Sequence, residues 1–219
     1  CGLGTCYASQ VGFTRQGSLR AVMGMAKASR QQRFAGFEDD LPVRDVEPNE
    51  GHQASDATRP AEPFRPASLD GQSVYVVDSH SLIYQVFHAL PEMSSPTGQP
   101  VGAIYGFLRD ILDLLEKKRP NYLFCAFDTP SGRTFRHQAY PEYKANREEM
   151  PVDLRPQIPN IQRLLAALGI PCLQQDQYEA DDILATVARE TKELGGNCFL
   201  VTSDKDCRQL MNDRVKVYH

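Results

Sequence analysis

Three nearly continuous apolar runs of the sequence each end in an aspartate. The runs are VYVVD, which ends at Asp78, LFCAFD, which ends at Asp128, and FLVTSD, which ends at Asp204. Short runs with so little polar alternation are typical of strands that are buried on both faces of a parallel sheet. Because open parallel sheets bind their ligands at the carboxyl ends of the strands, we expect these three carboxylates to converge on one crevice.

Segments with apolar residues at helical spacing lie between and around these runs. Strands that alternate with helices in this way predict an α/β fold, with a mostly parallel central sheet that is covered by helices on both faces. The predicted helices cover residues 82–90, 101–119, 158–168 and 179–194, and two further short strands are predicted at 170–173 and 215–218.

The first 70 residues have a different character. From Phe37 to Asp70 the sequence is rich in Pro, Glu, Asp, Ala and Ser and has neither helical nor strand periodicity. We expect residues 1–70 to form a disordered N-terminal extension or linker, and residues 71–219 to form the folded domain. The sequence starts at Cys1 rather than at a methionine, so we expect its start to be a fragment boundary or an uncertain gene start.

Cysteine usage and hydropathy indicate the compartment. The six cysteines form no CxxC pair and no metal-finger spacing. Cys125 and Cys198 lie inside apolar runs, where a small buried hydrophobic residue is expected. No apolar run approaches the roughly 20 residues that span a bilayer. These features predict a cytoplasmic protein without membrane contact.

The formal net charge of −4 neither indicates nor excludes binding to nucleic acid.

Two acidic motifs add to the strand-end aspartates. The motif YEADDILA opens a helix and contains Glu179, Asp181 and Asp182, and the motif DKD supplies Asp204 and Asp206. A structural role is available to both motifs, because a helix N-terminus stabilises a negative charge by about 0.3–1 kcal/mol and a charged turn is readily solvated. Three carboxylates within four residues nevertheless repel one another, and a bound cation would remove that repulsion.

Together the motifs contain seven carboxylates without a His or a Cys among them. Such ligand sets suit hard cations, Mg²⁺ or Mn²⁺, rather than zinc. Two such ions about 3.5–4 Å apart can activate a water and stabilise the leaving oxygen in phosphodiester cleavage. The predicted metal ligands are Asp78, Asp128, Glu179, Asp181, Asp182, Asp204 and Asp206. Asp182 has an alternative, which is to point back toward the N-terminal amides of its own helix.

A basic and aromatic segment follows Asp128. The stretch SGRTFRHQAYPEYKANR interleaves four cations with three aromatic rings. Cations hold phosphates while rings stack on unpaired bases, which is the combination expected for single-stranded DNA. Connections of this length in compact domains are either functional or disordered. The predicted DNA contacts are Arg133, Arg136, Tyr140, Tyr143, Lys144 and Arg147.

From about Ser73 onward the sequence resembles the 5′-nuclease superfamily of flap endonucleases, and most closely the exonuclease domain of bacterial DNA polymerase I. The resemblance rests on VVDSHSLIYQVFHAL, VGAIYGFLRDILDLL, FDTPSGRTFRHQAYPEYKANR, YEADDILATVA and VTSDKD, which occur in family order and at family spacing. It implies a PIN/5′-nuclease-like α/β fold with a helical arch between the second and third strands.

The resemblance also implies roles for individual residues. The seven carboxylates match the metal-site acids of the family, Lys144 matches the lysine at the scissile phosphate, and Arg147 matches a second catalytic cation of the arch. The implied activity is that of a divalent-metal-dependent 5′→3′ exonuclease or flap endonuclease, which acts on DNA 5′ ends, flaps or nicks in replication and repair. The family continues beyond His219 into a helix–hairpin–helix-type element, and a polymerase domain can follow in the same protein.

Three other functions fit part of the sequence. A PIN-type ribonuclease shares the acidic sheet, but the basic and aromatic segment argues against it. A phosphatase with an aspartate nucleophile needs a second aspartate two residues after Asp78, where His80 stands instead. A non-catalytic DNA-binding fragment needs the basic segment but has no need of seven carboxylates.

Overall fold

The computed structural model describes residues 66–146 and 148–218, so Arg147 and most of the predicted N-terminal extension lie outside the described residues. The strands are β1 (Ser73–Asp78), β2 (Tyr122–Phe127), β3 (Cys172–Gln174), β4 (Asn197–Val201) and β5 (Val215–Tyr218). The helices are α1 (Ser79–Ala89), α2 (Gly102–Lys118), α3 (Phe135–Ala139), α4 (Gln157–Ala167) and α5 (Ala180–Glu193), and a 3₁₀ helix spans Asp206–Leu210.

The five strands form one sheet in the order β3-β2-β1-β4-β5, and each neighbouring pair is parallel. This arrangement confirms the predicted α/β class. In the register of the central strand, Asp78 lies opposite Ala126 of β2, and Val77 lies opposite Val201 of β4. The carboxyl end of β1 is therefore level with the ends of its two neighbours, after which Asp128 and Asp204 follow in the chain.

Apolar residues pack on both faces of the sheet. Because successive side chains of a strand point to opposite faces, Val74 and Val76 of β1 pack in the cluster that contains the apolar side of α5. Tyr75 and Val77 pack in the cluster that contains apolar residues of α1, α2 and α4. The predicted coverage by helices on both faces is confirmed.

The packed domain begins before β1. Leu69 is fully buried in the cluster on the α5 side, and its N–H donates a hydrogen bond to the carbonyl oxygen of Leu194 at 2.8 Å. The packed domain thus includes a residue that the sequence analysis assigned to the N-terminal extension. Residues 1–65 of that predicted extension lie outside the described residues.

Two of the described cysteines lie in central strands of the sheet. Cys125 and Cys198 are buried free thiols, as their apolar surroundings predict, and burial raises the pKa of Cys198 to about 12. Among the helices of residues 66–146 and 148–218, none is both long enough and apolar enough to cross a membrane.

The N-terminus of α2 is capped by a side chain from another helix. The helix has no side-chain cap of its own. Instead, the buried Gln157 of α4 accepts hydrogen bonds through Oε1 from the N–H groups of Ala103 and Ile104, at 2.9 and 3.2 Å. Its Nε2 donates to the carbonyl oxygen of Asp153 at 2.9 Å. The amide therefore satisfies two backbone donors of α2 and fixes α4 against it.

Gly106 permits the close approach of α1 and α2. A Cβ at this position would lie 2.7 Å from Leu90 Cδ1 and 2.9 Å from Val86 Cβ, and Val86 is buried. We expect Gly106→Ala to lower the free energy of unfolding by about 1–3 kcal/mol in urea denaturation, although alanine favours the helix, because the contact is overpacked. Gly102→Ala is the matched control, since its nearest new contact is 3.6 Å. Equal stabilities of the two variants would contradict the steric argument.

Candidate functional site

Asp78 ends β1 and caps the N-terminus of α1. Its Oδ1 accepts a hydrogen bond from the Ser81 N–H, and its Oδ2 accepts one from the Thr202 hydroxyl, both at 3.1 Å. Burial raises the pKa of Asp78, the two hydrogen bonds lower it, and the charges of Asp128 and Asp204 raise it further. The Asp78 carboxylate is therefore close enough to both aspartates to be affected by their charges.

Asp128 follows β2 and lies against the N-terminus of α5. Its Oδ1 accepts a hydrogen bond from the Ala180 N–H at 2.8 Å, and its Oδ2 lies 3.8 Å from His80 Nδ1. Its carbonyl oxygen accepts from Gln174 Nε2 at 2.5 Å. These contacts hold the carboxylate between the end of β2 and the start of α5, where the helix dipole stabilises its negative charge.

Asp181, in the first turn of α5, completes a group of four acids. Burial raises its pKa to about 6, and the charges of Asp78, Asp204 and Asp128 raise it as well. Cys207 lies beside it, with Sγ 3.7 Å from Asp181 Oδ1. We call Asp78, Asp128, Asp181 and Asp204 the aspartate cluster, because their charges act on one another at the carboxyl edge of the sheet.

Asp204 and Asp206 follow β4 and are both exposed. The Asp204 N–H donates a hydrogen bond to Thr202 Oγ1 at 3.1 Å, and the Asp206 N–H donates to Asp204 Oδ1 at 2.8 Å. Asp206 thus reaches Asp204 through its backbone. Within the described part of the chain, no hydrogen bond or ion pair joins the Asp206 carboxylate to the aspartate cluster.

The two remaining predicted ligands contact the basic segment. Glu179 is 8% exposed; its Oε1 accepts from Lys144 Nζ at 2.8 Å and its Oε2 from the Tyr143 hydroxyl at 3.1 Å. The two oxygens of Asp182 accept from Arg136 at 2.7 and 2.8 Å. Cations of the protein itself therefore neutralise two carboxylates of the YEADD motif, a source of charge that the sequence analysis did not consider.

The donor set of the site has the chemistry that a hard divalent cation requires. The acids supply oxygen ligands only. The pKa values of Asp78 and Asp181 are raised first by burial and then by the charges of neighbouring aspartates, and a bound cation would favour the ionised carboxylates against both effects. As the side chains are placed in residues 66–146 and 148–218, no three His, Cys, Asp or Glu residues form an arrangement that could hold a metal ion. The carboxylates instead accept hydrogen bonds from protein donors, so they share one edge of the sheet without surrounding a common point.

The basic segment is helical over only five of its described residues. The helix α3 ends at Ala139, and turns follow up to residue 146. Tyr140 is extended, as expected for a residue before proline, and Pro141 has no N–H with which to continue the helix. Lys144 adopts a left-handed conformation with φ of 56°. In the described residues, the predicted arch is therefore a short helix followed by turns.

Aromatic rings and cations share the surface of this segment. Phe135 and Tyr178 are 41% and 39% exposed, with ring centroids 5.5 Å apart. The Arg136 guanidinium lies 4.6 Å from the centre of the Phe135 ring. Tyr178 shares this surface but was not among the predicted DNA contacts, although its position directly before Glu179 in the YEADD motif was a usable signal.

The five predicted DNA contacts that the structure describes fall into two groups. Arg133 and Tyr140 are exposed, while Arg136, Tyr143 and Lys144 are engaged with acids of α5 and its N-cap. The ring of Tyr143 also packs edge-on against His137, with centroids 5.3 Å apart. Arg147 lies outside the described residues.

A parallel sheet with acidic residues at its central carboxyl edge, beside a basic and aromatic segment, defines a PIN/5′-nuclease-like α/β protein. The chain belongs to the family of the 5′-3′ exonuclease, N-terminal resolvase-like domain, whose model matches residues 73–219. This membership confirms the resemblance that the sequence motifs indicated.

Curated relatives show the same membership. The chain is 44% identical over 144 residues to a DNA polymerase I of Chloroflexus aurantiacus, a match that covers 65% of this chain and 15% of the polymerase. It is 40% identical over 146 residues to a 5′-3′ exonuclease of Aquifex aeolicus, which covers 67% of this chain and 50% of that protein. The chain thus spans half or less of the length of these relatives.

Solved structures show the same fold. One is the bacteriophage T5 flap endonuclease in a pseudo-enzyme–product complex with DNA and metal ions, with a TM-score of 0.52 at 20% identity over 67% of this chain and 54% of that one. Another is the T5 5′-exonuclease with bound zinc, with a TM-score of 0.51 at 21% identity over 67% of this chain and 55% of that one. At these identities the likeness shows the fold alone.

Proposed function

We propose that this chain is the catalytic portion of a 5′-nuclease, which hydrolyses phosphodiester bonds near DNA 5′ ends as a 5′→3′ exonuclease or flap endonuclease in replication and repair. The observation that carries the proposal is the juxtaposition of the aspartate cluster with the basic segment. Asp128 accepts from the Ala180 N–H, and the adjacent Glu179 accepts from Lys144. Membership of the 5′-3′ exonuclease family supports the same activity.

The aspartate cluster, Asp206 and Glu179 are the residues that would hold the divalent cations, proposed to be two Mg²⁺ or Mn²⁺ ions. Glu179 would have to release Tyr143 and Lys144 to do so, because they donate to both of its oxygens. When bound, such cations activate a water for attack and stabilise the leaving oxygen of the phosphodiester. The chain's own contribution is to hold several carboxylates at one edge of a rigid sheet. Asp78 and Asp128 achieve this through hydrogen bonds to Thr202 and to the start of α5.

The basic segment would bind the 5′ strand and stabilise the charge that develops at the phosphate. Lys144 Nζ already lies 2.8 Å from a carboxylate at the start of α5, and a cation there acts most strongly when negative charge builds in the transition state. The family resemblance gives Arg147 the same role. Exposed Arg133 and Tyr140 would hold a phosphate and a base of the strand, respectively.

A 5′-labelled flap duplex tests the proposal. With the full-length protein that contains this chain, we expect short labelled products in Mg²⁺ and none in EDTA. Retained binding of the flap without cleavage in Mg²⁺ would instead identify a DNA-binding fragment. Cleavage restricted to RNA would favour a PIN-type ribonuclease. A polymerase domain in the same protein and a cytoplasmic location belong to the same proposal.

Metal binding should stabilise the fold by mass action. A ligand present at 100 times its dissociation constant stabilises the native state by about 2.7 kcal/mol, so Mn²⁺ should raise the urea midpoint by a corresponding amount. Asp181→Asn, which removes a charge from the aspartate cluster, should abolish most of the shift. Asp213→Asn is the control, because Asp213 precedes β5 at the opposite, amino edge of the sheet. An unchanged midpoint at saturating Mn²⁺ would contradict the proposed metal site.

A further inference from the structure

Arg136 and Asp182 form a two-pronged ion pair between the basic segment and α5. The Arg136 Nη2 donates to Asp182 Oδ1 at 2.7 Å, and Nη1 donates to Oδ2 at 2.8 Å. The same Oδ2 also accepts from the Glu179 N–H at 3.0 Å, which completes the cap of α5. Both oxygens of Asp182 are therefore bound by protein donors, and each oxygen accepts from one guanidinium nitrogen.

Asp181 and Asp182 are adjacent in sequence, but their carboxylates lie in different environments. Consecutive residues of an α-helix project about 100° apart, so the two carboxylates leave α5 in different directions. The Asp181 carboxylate lies beside Cys207, with Sγ 3.7 Å from its Oδ1. Both oxygens of Asp182 accept from Arg136, and Oδ2 also accepts from the Glu179 N–H. The environment of Asp182 is thus set by the basic segment.

The basic segment depends on polar contacts for its position. The helix α3 contains no buried residue. It is joined to the chain before α5 by the hydrogen bond from the Phe135 N–H to the Gln177 carbonyl, at 3.0 Å. Arg136 Nη1 also lies 3.4 Å from Glu179 Oε2, the Phe135 ring lies against that of Tyr178, and Tyr143 and Lys144 donate to Glu179. The Arg136–Asp182 pair adds two hydrogen bonds of 2.7 and 2.8 Å to these contacts, so its loss should loosen the segment that carries Lys144.

We propose that Asp182 is a positioning residue, which anchors the basic segment through Arg136 and so places Lys144, and that Asp182 is not a metal ligand. The inference rests on the proposed function for the part that concerns Lys144 in cleavage. It also changes the predicted role of Arg136 from a DNA contact to the other half of the anchor.

Metal affinity tests the first part of this inference. The Mn²⁺ affinity of the whole chain can be measured by the electron paramagnetic resonance signal of free Mn²⁺. Asp181→Asn should lower the affinity more than about a hundredfold, since residues outside the ligand set already cost about 10–100-fold. Asp182→Asn, which keeps an acceptor for the Glu179 N–H, should lower the affinity about tenfold or less. An equal loss in both variants would overturn the assignment of Asp182.

Limited proteolysis tests the anchor itself and needs no catalysis. Hydrogen bonds to charged groups contribute enough for about a tenfold change in a local opening equilibrium, so Asp182→Asn should speed tryptic cleavage after Lys144 about tenfold. Arg136→Lys should do the same, because lysine keeps the charge and lacks the planar fork. Glu193→Gln, with the same charge change at the far end of α5, is the matched control. Wild-type cleavage rates in Asp182→Asn would overturn the anchor, whatever the flap duplex shows.

Single-turnover cleavage of the flap tests whether the anchor acts through Lys144. If it does, Asp182→Asn alone should lower the single-turnover rate. Added to a chain that already carries Lys144→Ala, it should have little further effect on that rate. Fully additive losses would show that Asp182 does not act through Lys144. A flap that remains uncut by the wild-type chain would remove the proposed function, while the Mn²⁺ and tryptic measurements would still decide the anchor.

Discussion

Replacing Asp128 by alanine is expected to reduce Mg²⁺-dependent flap cleavage by about 10³-fold or more, while DNA binding is kept or becomes tighter. The change removes a carboxylate from the end of β2, and metal-assisted stabilisation of the transition state contributes several kcal/mol. Binding is spared because a negative charge that would face the phosphates is lost. Single-turnover rates at saturating enzyme, with binding measured in Ca²⁺, separate the two effects.

The isosteric variant Asp128→Asn distinguishes the loss of a metal ligand from a folding defect. Asp128→Ala leaves the Ala180 N–H without the acceptor that lies at 2.8 Å in the wild-type chain, whereas Asp128→Asn keeps an oxygen for it. Both variants should lose cleavage, and Asp128→Asn should keep the wild-type stability. If Asp128→Ala cut the flap at the wild-type rate, the proposed active site would be wrong.

Lys144→Ala is expected to lower the single-turnover rate by about 10²–10³-fold, with a smaller effect on DNA affinity. A preorganised donor near developing negative charge has an effect of this size, and Lys144 Nζ is held 2.8 Å from Glu179 Oε1 beside the aspartate cluster. Tyr143→Ala is the matched comparison from the same segment. It should weaken binding by about 1–3 kcal/mol, as expected for one base–aromatic stack, with a smaller effect on the cleavage step.

The relative sizes of the two effects decide what the basic segment does. A Lys144→Ala chain that loses affinity but cleaves at the wild-type rate when saturated would show that the segment is a clamp. Equal losses of rate in both variants would show that the order of the whole segment, rather than the Lys144 charge, is what catalysis requires.

Most elements of the fold could be predicted because their signals are local. The strand β2 (Tyr122–Phe127) contains all the apolar residues of the LFCAFD run and ends just before Asp128, because the apolar run itself marks the strand. The helix α1 begins at Ser79, three residues before the predicted start, because Asp78 caps it and its first residues carry no apolar periodicity. The capping of α2 by Gln157 was not predictable, since it joins residues 54 positions apart through a tertiary contact.

The acids of the site were predicted from residue type and position. Residue type did not show which acids lie in the aspartate cluster and which bind cations of the basic segment. The strand-end positions indicated a shared edge for Asp78, Asp128 and Asp204. The sequence left Asp182 the alternative of pointing back toward the N-terminal amides of its helix, and its Oδ2 does accept from the Glu179 N–H. The contact of Arg136 with Asp182, across 46 residues of sequence, was not predictable. The roles of the other six carboxylates as metal ligands stay a prediction, and Asp182 is proposed as an anchor in place of a ligand.

Anomalous diffraction from a crystal of the chain soaked in Mn²⁺ locates the metal without requiring cleavage. We expect manganese peaks at the carboxyl end of β1, in contact with carboxylates of the aspartate cluster, and the pair of Arg136 and Asp182 intact beside them. Manganese bound by Asp182, manganese bound only away from β1, or no peak at saturating Mn²⁺ would contradict this expectation.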